Sequence, residues 1–474
     1  MNTISSYIES KRLFSPNYIV IGVIIISYEL FLGVLVSRGL AIPAILFIVV
    51  PFLLLLVIKN PMVGYFLFVL AAQFGEFSLA EIGSFYLKPN NIFMVLLIIG
   101  FFLNRLINRE VKLRKGPVDI YLMFLISWMV ISLFWSNDRN QGFYALSKIG
   151  YGLLVYYISI NIIDSKKNLE KALIVWMLVG VFSGLAAIEE FMRLAIPHVG
   201  SSFSALTKWG HPIRSEGFYG GANRLGSFLA IAALFTYYKI LTAETSKTRA
   251  LYICTVGIMA VGLVTTLSRI NTVGFFISSC FIAYCLREFR KPFLTTLATF
   301  LFIDLIVTKG EILSVYFVRL FYVFEGLEVS SPARVDIWNL ALKTIRENPV
   351  LGVGLGGFPS VVQSIDPDLR LIYPHSLLMY IWAEMGILGL GIFFLFVGMT
   401  ALYSYQLYKL IDNRDLKYIT VCAMGTLLAY LSWSLFQNLT FQHEGMWMSL
   451  GLVMAVFNIA SDNLKNFPKK EVWL

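Results

Sequence analysis

The chain has 474 residues, of which 58% are hydrophobic and 14% charged, and its mean hydropathy is +0.75. A soluble protein averages about 25% charged residues, so this composition excludes an ordinary soluble enzyme. The net charge of +10 would suit a nucleic-acid-binding protein. However, the Lys and Arg residues stand in short loops between apolar runs, which is the pattern of the positive-inside rule in membrane proteins, and we predict no nucleic-acid partner.

Apolar runs recur along the whole sequence. A transmembrane helix needs about 20 consecutive apolar residues, and in lipid the backbone groups must pair within the chain, which excludes open sheets. The first run begins near Tyr18 and is long enough to span, so we expect no cleavable signal peptide. The pattern predicts an all-α, polytopic fold of about fourteen transmembrane helices in one integral-membrane domain, residues 1–474. The predicted spans are 18–36, 40–58, 62–79, 91–108, 118–135, 143–162, 172–194, 223–241, 250–267, 271–287, 292–308, 376–404, 416–437 and 443–459.

The distribution of Lys and Arg predicts the orientation of these spans. With the N-terminus in the cytoplasm, about 23 of the 38 Lys and Arg residues fall on the cytoplasmic side. Most of the others lie in or beside an outer loop at 195–222 and a large extracytoplasmic loop at 309–375, and long loops are exempt from the rule. We therefore expect both termini in the cytoplasm. The four histidines, His198, His211, His375 and His443, then face outward, where no ATP is present, which disfavours a nucleotide-driven mechanism.

The first outer loop ends in a polar segment directly before a span, and a third, very short outer turn holds Ser268-Arg269. The segment contains Arg214 and Glu216. The guanidinium fork of arginine binds phosphate oxygens in a bidentate manner. Each arginine could equally contact lipid phosphates, but two or three that converge on one outer cavity would suit a lipid diphosphate.

An amphipathic helix is predicted inside the loop 309–375. Ser331-Pro332 is a good helix start, and Asn348-Pro349 a good stop. Val335, Trp338, Leu342 and Ile345 follow at helical spacing and predict one apolar face that lies on the membrane interface or packs on the bundle. Arg334 stands in the first turn, either as a ligand of the diphosphate or as a snorkelling or salt-bridged side chain.

The same loop continues through Gly352 to Gly357, with the pattern Gly-x-Gly-x-Gly-Gly. We interpret it as a tight turn that allows the backbone to approach a neighbour or a ligand closely, rather than as a nucleotide fingerprint. Asp366-Pro367-Asp368 resembles a metal-binding pair, but the central proline disfavours a shared geometry. We predict no metal and no cofactor.

The loop ends at His375, at the mouth of a long apolar run. An unperturbed imidazole titrates near 6.5, so His375 could take a proton from a sugar hydroxyl at neutral pH; the alternative is a polar interfacial residue. Glu384 follows inside the run. An acidic residue within a span usually faces the protein interior and has a partner. Glu384 could orient an arginine or seal two helices together, and we favour the second role.

Taken in order, these features form a pattern over residues 210–400. Its members are Arg214, Glu216, Gly217, Asn223, Ser268, Arg269, Arg334, Trp338, Pro349, Gly352, Gly354, His375, Glu384 and Gly386. This order resembles the O-antigen ligase and polymerase superfamily of bacterial membrane proteins. Ser376, where that family often has Asn, and Ile270, where it often has a small residue, depart from the pattern.

The resemblance implies a GT-C-like fold and a multi-pass protein of the bacterial inner membrane with an extracytoplasmic active site. It implies inverting, metal-independent transfer of a glycan from undecaprenyl diphosphate, with Arg214, Arg269 and Arg334 on the diphosphate and His375 as the base. Glu216 and Glu384 would support them. The implied partners are an undecaprenyl-diphosphate-linked oligosaccharide, an acceptor glycan or glycolipid, and the lipid bilayer, and a chain-length regulator and a flippase fit the same pathway.

Two enzymatic roles compete within this superfamily. A polymerase transfers the glycan to another lipid-linked repeat unit, whereas an O-antigen ligase transfers it to lipid A–core in lipopolysaccharide synthesis. The length and span number of this chain resemble polymerases more closely. A non-enzymatic transporter or flippase is the third alternative.

Overall fold

The computed structural model describes residues 41–75, 77–82, 85–110, 112–194, 207–208, 211–212, 214–310, 313–314, 317, 330–365, 373–435 and 444–465. The helices before residue 309 are α1 Ala41–Lys59, α2 Pro61–Ala71, α3 Pro89–Ile107, α4 Asp119–Ser132, α5 Arg139–Ile162, α6 Lys166–Leu194, α7 Ala222–Thr242, α8 Ser246–Thr265, α9 Arg269–Cys285 and α10 Arg290–Thr308. Those that follow are α11 Ser330–Glu347, α12 Gly357–Ile365, α13 Leu377–Leu410, α14 Arg414–Ser434 and α15 Glu444–Lys465.

Two short antiparallel hairpins stand between the helices. One pairs β1 Ala80–Ile82 with β2 Phe85–Leu87, and the other pairs β3 Thr207–Lys208 with β4 His211–Pro212. The hydropathy pattern did not predict them, because their strands are too short to show an alternation.

Eight helices of the described chain are long and apolar enough to cross a membrane: α3, α5, α6, α7, α8, α13, α14 and Gly445–Leu464 within α15. Shorter apolar helices lie at Val49–Lys59, Pro61–Phe74, Asp119–Trp135 and Arg269–Cys285. The chain is therefore a polytopic helical membrane protein. The predicted span 18–36 lies outside the described residues, and the total of about fourteen spans stays a prediction.

Helix α7 forms the centre of the bundle. It packs against α6, α8, α9 and α14, and 83% of the residues in its apolar 18-residue segment are buried. A helix that is apolar all round belongs in the interior, and Ala residues such as Ala230, Ala232 and Ala233 let the neighbouring helices approach. The first turn of α7, which begins at Ala222, is consequently held on several sides.

Helices α6 and α8 approach each other through glycine. A Cβ atom added to Gly262 would lie 2.7 Å from Gly184 Cα, which is closer than side chains pack. This small-residue contact is a usual device for packing helices in a membrane. It sets the turn after α8 beside the end of α6 and thereby positions the residues described below.

Helix α13 is broken at Gly386, where φ is 66° and ψ is −174°. This conformation is essentially restricted to glycine. The turn that begins at Pro349 docks into the break, and its carbonyl accepts a hydrogen bond from Ile387 N (2.9 Å). Carbonyls before the break are bonded from outside the helix: Val353 N donates to Ala383 O (2.9 Å), Gly354 N to Glu384 O (2.8 Å) and Trp128 Nε1 to Met385 O (3.0 Å). The break is therefore compensated, as backbone groups in a membrane require.

The amphipathic helix predicted from Ser331 is α11, and its bounds confirm the prediction within one residue at each end. The predicted face was partly wrong, because Val335 and Leu342 are 50% and 38% exposed. Ile345 of the predicted face is buried, as expected, and Trp338 packs against the same cluster. The other buried residues of the helix are Ile337 and Ala341, and the cluster is completed by Val353, Phe358, Val362 and Ala383. The helix rolls toward these residues because the docked glycine turn and α12 offer a second apolar surface that the periodicity of α11 alone does not reveal.

Candidate functional site

Arg214 lies just before the short turn that leads into α7. Its Nε donates to Thr266 O (2.8 Å), and its Nη2 donates to Asn223 Oδ1 (2.7 Å). The neighbouring Ser215 N donates to Thr265 O (3.2 Å). The segment with Arg214 is thus bonded directly to the turn between α8 and α9, and two hydrogen bonds orient the guanidinium plane.

That second turn carries Arg269, which is half-buried at the first position of α9. Ser268 Oγ donates to Asn223 Oδ1 (2.9 Å), and Asn271 Nδ2 donates to the Asn223 carbonyl (2.7 Å). Ser227 Oγ also donates to this carbonyl (2.9 Å). Asn223 therefore accepts hydrogen bonds from Ser268 and Asn271, which stand on either side of Arg269 and Ile270. The segment with Arg214 and the turn with Arg269 thus form one hydrogen-bonded unit.

Glu216 takes part through its backbone. The amides of Glu216 and Gly217 both donate to Glu190 Oε2, at 2.9 and 2.7 Å, and Gly217 has φ of +54°. The Glu216 side chain is exposed. Sequence reasoning missed Glu190, although an acidic residue at the end of a membrane span was a signal that it has a partner. Its carboxylate fixes the turn that follows Arg214.

Glu384 is fully buried in α13 and contacts the glycine turn. Its Oε2 accepts from Gly356 N (3.0 Å), its Oε1 accepts from Phe358 N (3.3 Å), and Tyr380 also hydrogen-bonds the carboxylate. Its hydrogen-bond partners are thus backbone amides and a tyrosine. Glu384 therefore joins α13 to the glycine turn, whereas the sequence analysis favoured a contact between two helices.

The glycine turn packs against protein on its other side too. Gly352, Gly354 and Gly356 have φ of +69°, +82° and +76°, so each holds a left-handed conformation. The turn bonds the α4–α5 junction: Asn137 N donates to Val353 O (3.0 Å), Ser136 Oγ to Leu355 O (2.8 Å), and Leu355 N to Ser132 Oγ (3.2 Å). The backbone of the glycine turn therefore approaches neighbouring helices closely, and the turn links the α4–α5 junction to α13.

His375 is half-buried at the entry to α13 and has a left-handed backbone with φ of 47°. Such a conformation is uncommon outside glycine and persists where the surroundings hold it. The carbonyl of Pro374 accepts from Trp338 Nε1 (2.6 Å), and Ser376 Oγ caps α13 by accepting from Met379 N (3.4 Å). The residues on both sides of His375 are thus anchored to α11 and α13.

Tyr373 lies beside this entry, with its ring centroid 5.7 Å from that of Tyr380. Burial raises the pKa of Tyr373, and the charges of Glu384 and Tyr144 raise it further. The phenol consequently stays protonated at neutral pH.

An apolar cavity of about 330 Å³ opens along α13, α14 and α15. Its lining includes Leu377, two residues after His375, together with Phe396, Leu427, Tyr430 and Trp447. Helix α14 lines part of this cavity and packs against α13, α7 and α9.

Several candidate residues are not described at the side-chain level. Arg334 lies in the first turn of α11 and its side chain is outside the described part, while His211 is described only as part of β4. His198, His443, Asp366 and Asp368 lie outside the described residues. Within the described part of the chain, no group of three or more His, Cys, Asp or Glu could hold a metal ion.

Comparison with known proteins gives one family. Residues 254–394 match a family model described as O-Antigen ligase. The matched segment runs from α8 into α13 and contains Arg269, the glycine turn, His375 and Glu384, whereas Arg214 and Asn223 precede it. No curated protein matches the chain.

Proposed function

We propose that this chain, a polytopic membrane protein of the O-antigen ligase and polymerase superfamily with the ligase domain at residues 254–394, is an inverting, metal-independent glycosyltransferase. It transfers a glycan from undecaprenyl diphosphate to a sugar hydroxyl on the outer face of the bacterial inner membrane, and it polymerises polysaccharide repeat units. The hydrogen-bonded unit that joins Arg214 to the Ser268–Arg269 turn is the observation that carries this proposal, because it sets two guanidinium-bearing segments side by side.

The arginines would act on the leaving group. Arg214 and Arg269 bind the diphosphate of the donor, with Arg334 as a third ligand from α11. Guanidinium groups bind phosphate oxygens through charge-assisted, bidentate hydrogen bonds. They neutralise the charge that grows on the diphosphate as the bond to the sugar breaks, and such preorganised stabilisation is commonly the largest single contribution to catalysis. The two bonds that already orient Arg214 reduce the ordering required on binding.

His375 would act on the acceptor. Its imidazole takes the proton of the acceptor hydroxyl, and the oxygen attacks the anomeric carbon from the face opposite the diphosphate. The bond between that carbon and the diphosphate oxygen breaks, its electron pair leaves with undecaprenyl diphosphate, and the configuration inverts. Support comes from the strained backbone of His375 and from the raised pKa of Tyr373, which makes that phenol unsuited to be the base.

The apolar cavity supports a lipid-linked donor. Its lining includes Leu377, two residues after the proposed base, and it runs between α13, α14 and α15, within the part of the chain that spans the membrane. An isoprenoid tail can enter such a groove without exposing apolar surface to water. The tail would thereby hold the diphosphate at the membrane surface.

Glu384 would support the site indirectly. By accepting from Gly356 and Phe358 it locks the glycine turn onto the first segment of α13, whose N-terminus carries His375. Glu216 would support Arg214 through its backbone amide on Glu190.

Transfer by the purified protein in lipid nanodiscs, with an undecaprenyl-diphosphate-linked oligosaccharide as sole glycan substrate, tests the proposal. Mass spectrometry should reveal products with two or more repeat units. His375→Ala protein serves as the inactive control. Absence of any glycan product with every acceptor offered, combined with solute flux into proteoliposomes, would replace the proposal by the transporter alternative.

Ligation is the second candidate, since the matched family is described as O-Antigen ligase. The same assay separates the two roles when lipid A–core is added. A ligase joins one glycan to lipid A–core and forms no longer oligosaccharide from donor alone, whereas a polymerase forms a ladder without lipid A–core.

A further inference from the structure

We infer that Asn223 is a positioning residue that holds Arg214 and the Ser268–Arg269 turn together as one diphosphate-binding unit. The inference rests on the proposed function and deepens it, because it assigns the residue that sets the spacing of the two arginine-bearing segments. Neither the family match, which begins at residue 254, nor the sequence pattern assigns this role to Asn223.

The side-chain oxygen of Asn223 serves both segments. An amide oxygen has two lone pairs, and here one accepts from Arg214 Nη2 (2.7 Å) and the other from Ser268 Oγ (2.9 Å). Since a guanidinium can only donate, the contact with Arg214 identifies the oxygen of this amide. One atom therefore fixes the distance between the Arg214 guanidinium and the residue that precedes Arg269.

The backbone of Asn223 adds a second tie to the same turn. Its carbonyl accepts from Asn271 Nδ2 (2.7 Å), and Asn271 is fully buried. A Cβ atom added to Gly226 would lie 2.6 Å from Asn271 Nδ2, so glycine at this position leaves the room that Asn271 needs. Asn223 is also anchored in the first turn of α7, the helix at the centre of the bundle. The unit is held rigidly because Asn223, which bonds both segments, belongs to the buried helix α7.

The choice of an uncharged amide has a chemical reason. A carboxylate at position 223 would accept the same two hydrogen bonds and would bind Arg214 more strongly. It would also compensate the charge of Arg214 and repel the diphosphate. An amide orients the guanidinium without adding a negative charge beside it, so Asn223→Asp separates positioning for catalysis from simple structural support.

The full-length protein in nanodiscs allows three measurements on each variant: the thermal unfolding midpoint, the donor KM and maximal rate of glycan transfer, and the affinity for inorganic pyrophosphate by titration calorimetry. Asn223→Asp should keep the unfolding midpoint of the wild type, yet raise the donor KM and weaken pyrophosphate binding by about tenfold or more. Asn223→Ala should also weaken pyrophosphate binding, and combining it with Arg214→Ala should add little to the loss from Arg214→Ala alone, since the two residues act as a unit.

Asn161 offers a matched control near the C-terminal end of α5. Its Oδ1 accepts from Arg114 N (2.8 Å), and its Nδ2 donates to Arg114 O (3.1 Å) and Tyr157 O (2.8 Å). Asn161→Ala should lower the unfolding midpoint and leave the donor KM and pyrophosphate affinity unchanged.

Wild-type pyrophosphate affinity in Asn223→Asp would overturn the inference, whatever the outcome of the transfer assay. If instead pyrophosphate binding depends on Asn223 and Arg214 while the wild type transfers no glycan, the binding unit stands and the proposed glycosyltransferase function fails. The binding measurement can therefore reject the inference about Asn223 and the transfer measurement can reject the proposed function, each without the other.

Discussion

Gly386→Ala tests whether the break in α13 builds the entry that carries His375. Gly386 has φ of 66° and ψ of −174°, a region that residues with a Cβ atom essentially do not occupy. An added methyl group would overlap the carbonyl oxygen of Val350 and lie 2.6 Å from Leu351 N. Both are backbone atoms, so no side-chain rotation can relieve the contact.

The magnitude follows from these two effects. A residue forced into this region costs about 1–3 kcal/mol, and overpacking against fixed atoms costs a similar amount. We therefore expect Gly386→Ala to lower the free energy of unfolding by about 3 kcal/mol or more. The alternative is that α13 straightens and expels the docked turn, which breaks the hydrogen bonds of Val353 N and Gly354 N. Either outcome displaces the site.

The assay compares thermal unfolding and glycan transfer for this variant with two matched controls in the same helix. Gly391 and Gly398 are exposed, have helical backbones, and an added Cβ atom at either meets nothing within 4 Å. Their alanine variants should be neutral or more stable by up to about 1 kcal/mol, because alanine favours the helix. A Gly386→Ala protein as stable and as active as Gly391→Ala would refute the reasoning about the break.

The remaining predictions concern the site and the topology. His375→Ala should lower glycan transfer by about 10²–10⁴-fold with donor binding intact, and a normal rate in this variant would reject the base assignment. Because the Tyr373 phenol stays protonated, Tyr373→Phe should keep the pH profile of the wild type near neutrality. Arg→Lys at position 214 or 269 keeps the charge but loses the bidentate fork, so each should lower transfer by about tenfold or more, and full activity in both Arg214→Lys and Arg269→Lys would exclude a shared diphosphate site. A cysteine placed at Asp368 should react with an impermeant reagent from the extracytoplasmic side, whereas labelling only from the cytoplasm would overturn the predicted orientation.

Local patterns determined the class of this protein. A run of apolar residues long enough to span a bilayer is a local signal, which explains why each predicted span between 40 and 308 overlaps a helix. The predicted span 62–79 extends beyond its helical residues, which end at Phe74. Ser331-Pro332 and Asn348-Pro349 likewise marked α11, because capping and the loss of a backbone donor act within a few residues. The order of polar motifs along the chain predicted a resemblance to the O-antigen ligase and polymerase superfamily, and residues 254–394 match a family model described as O-Antigen ligase.

The partners of individual side chains depended on the tertiary structure. Glu384 required a partner in the membrane, but the amides of Gly356 and Phe358, 28 and 26 residues earlier in the chain, reach it only when the glycine turn packs against α13. The buried face of α11 differed from its periodic pattern for the same reason, since Ile337 and Ala341 bury against that turn.

Asn223 shows most clearly that the sequence alone does not predict the partners of a side chain. In the sequence it is one polar residue at the start of a helix, 45 residues from Ser268. Its two hydrogen-bonded segments meet because α6 and α8 pack closely at Gly184 and Gly262, and that approach depends on side-chain volumes in separate helices. Hydropathy reports the transfer of each residue from water to lipid, whereas the site depends on distances between residues that only helix packing sets.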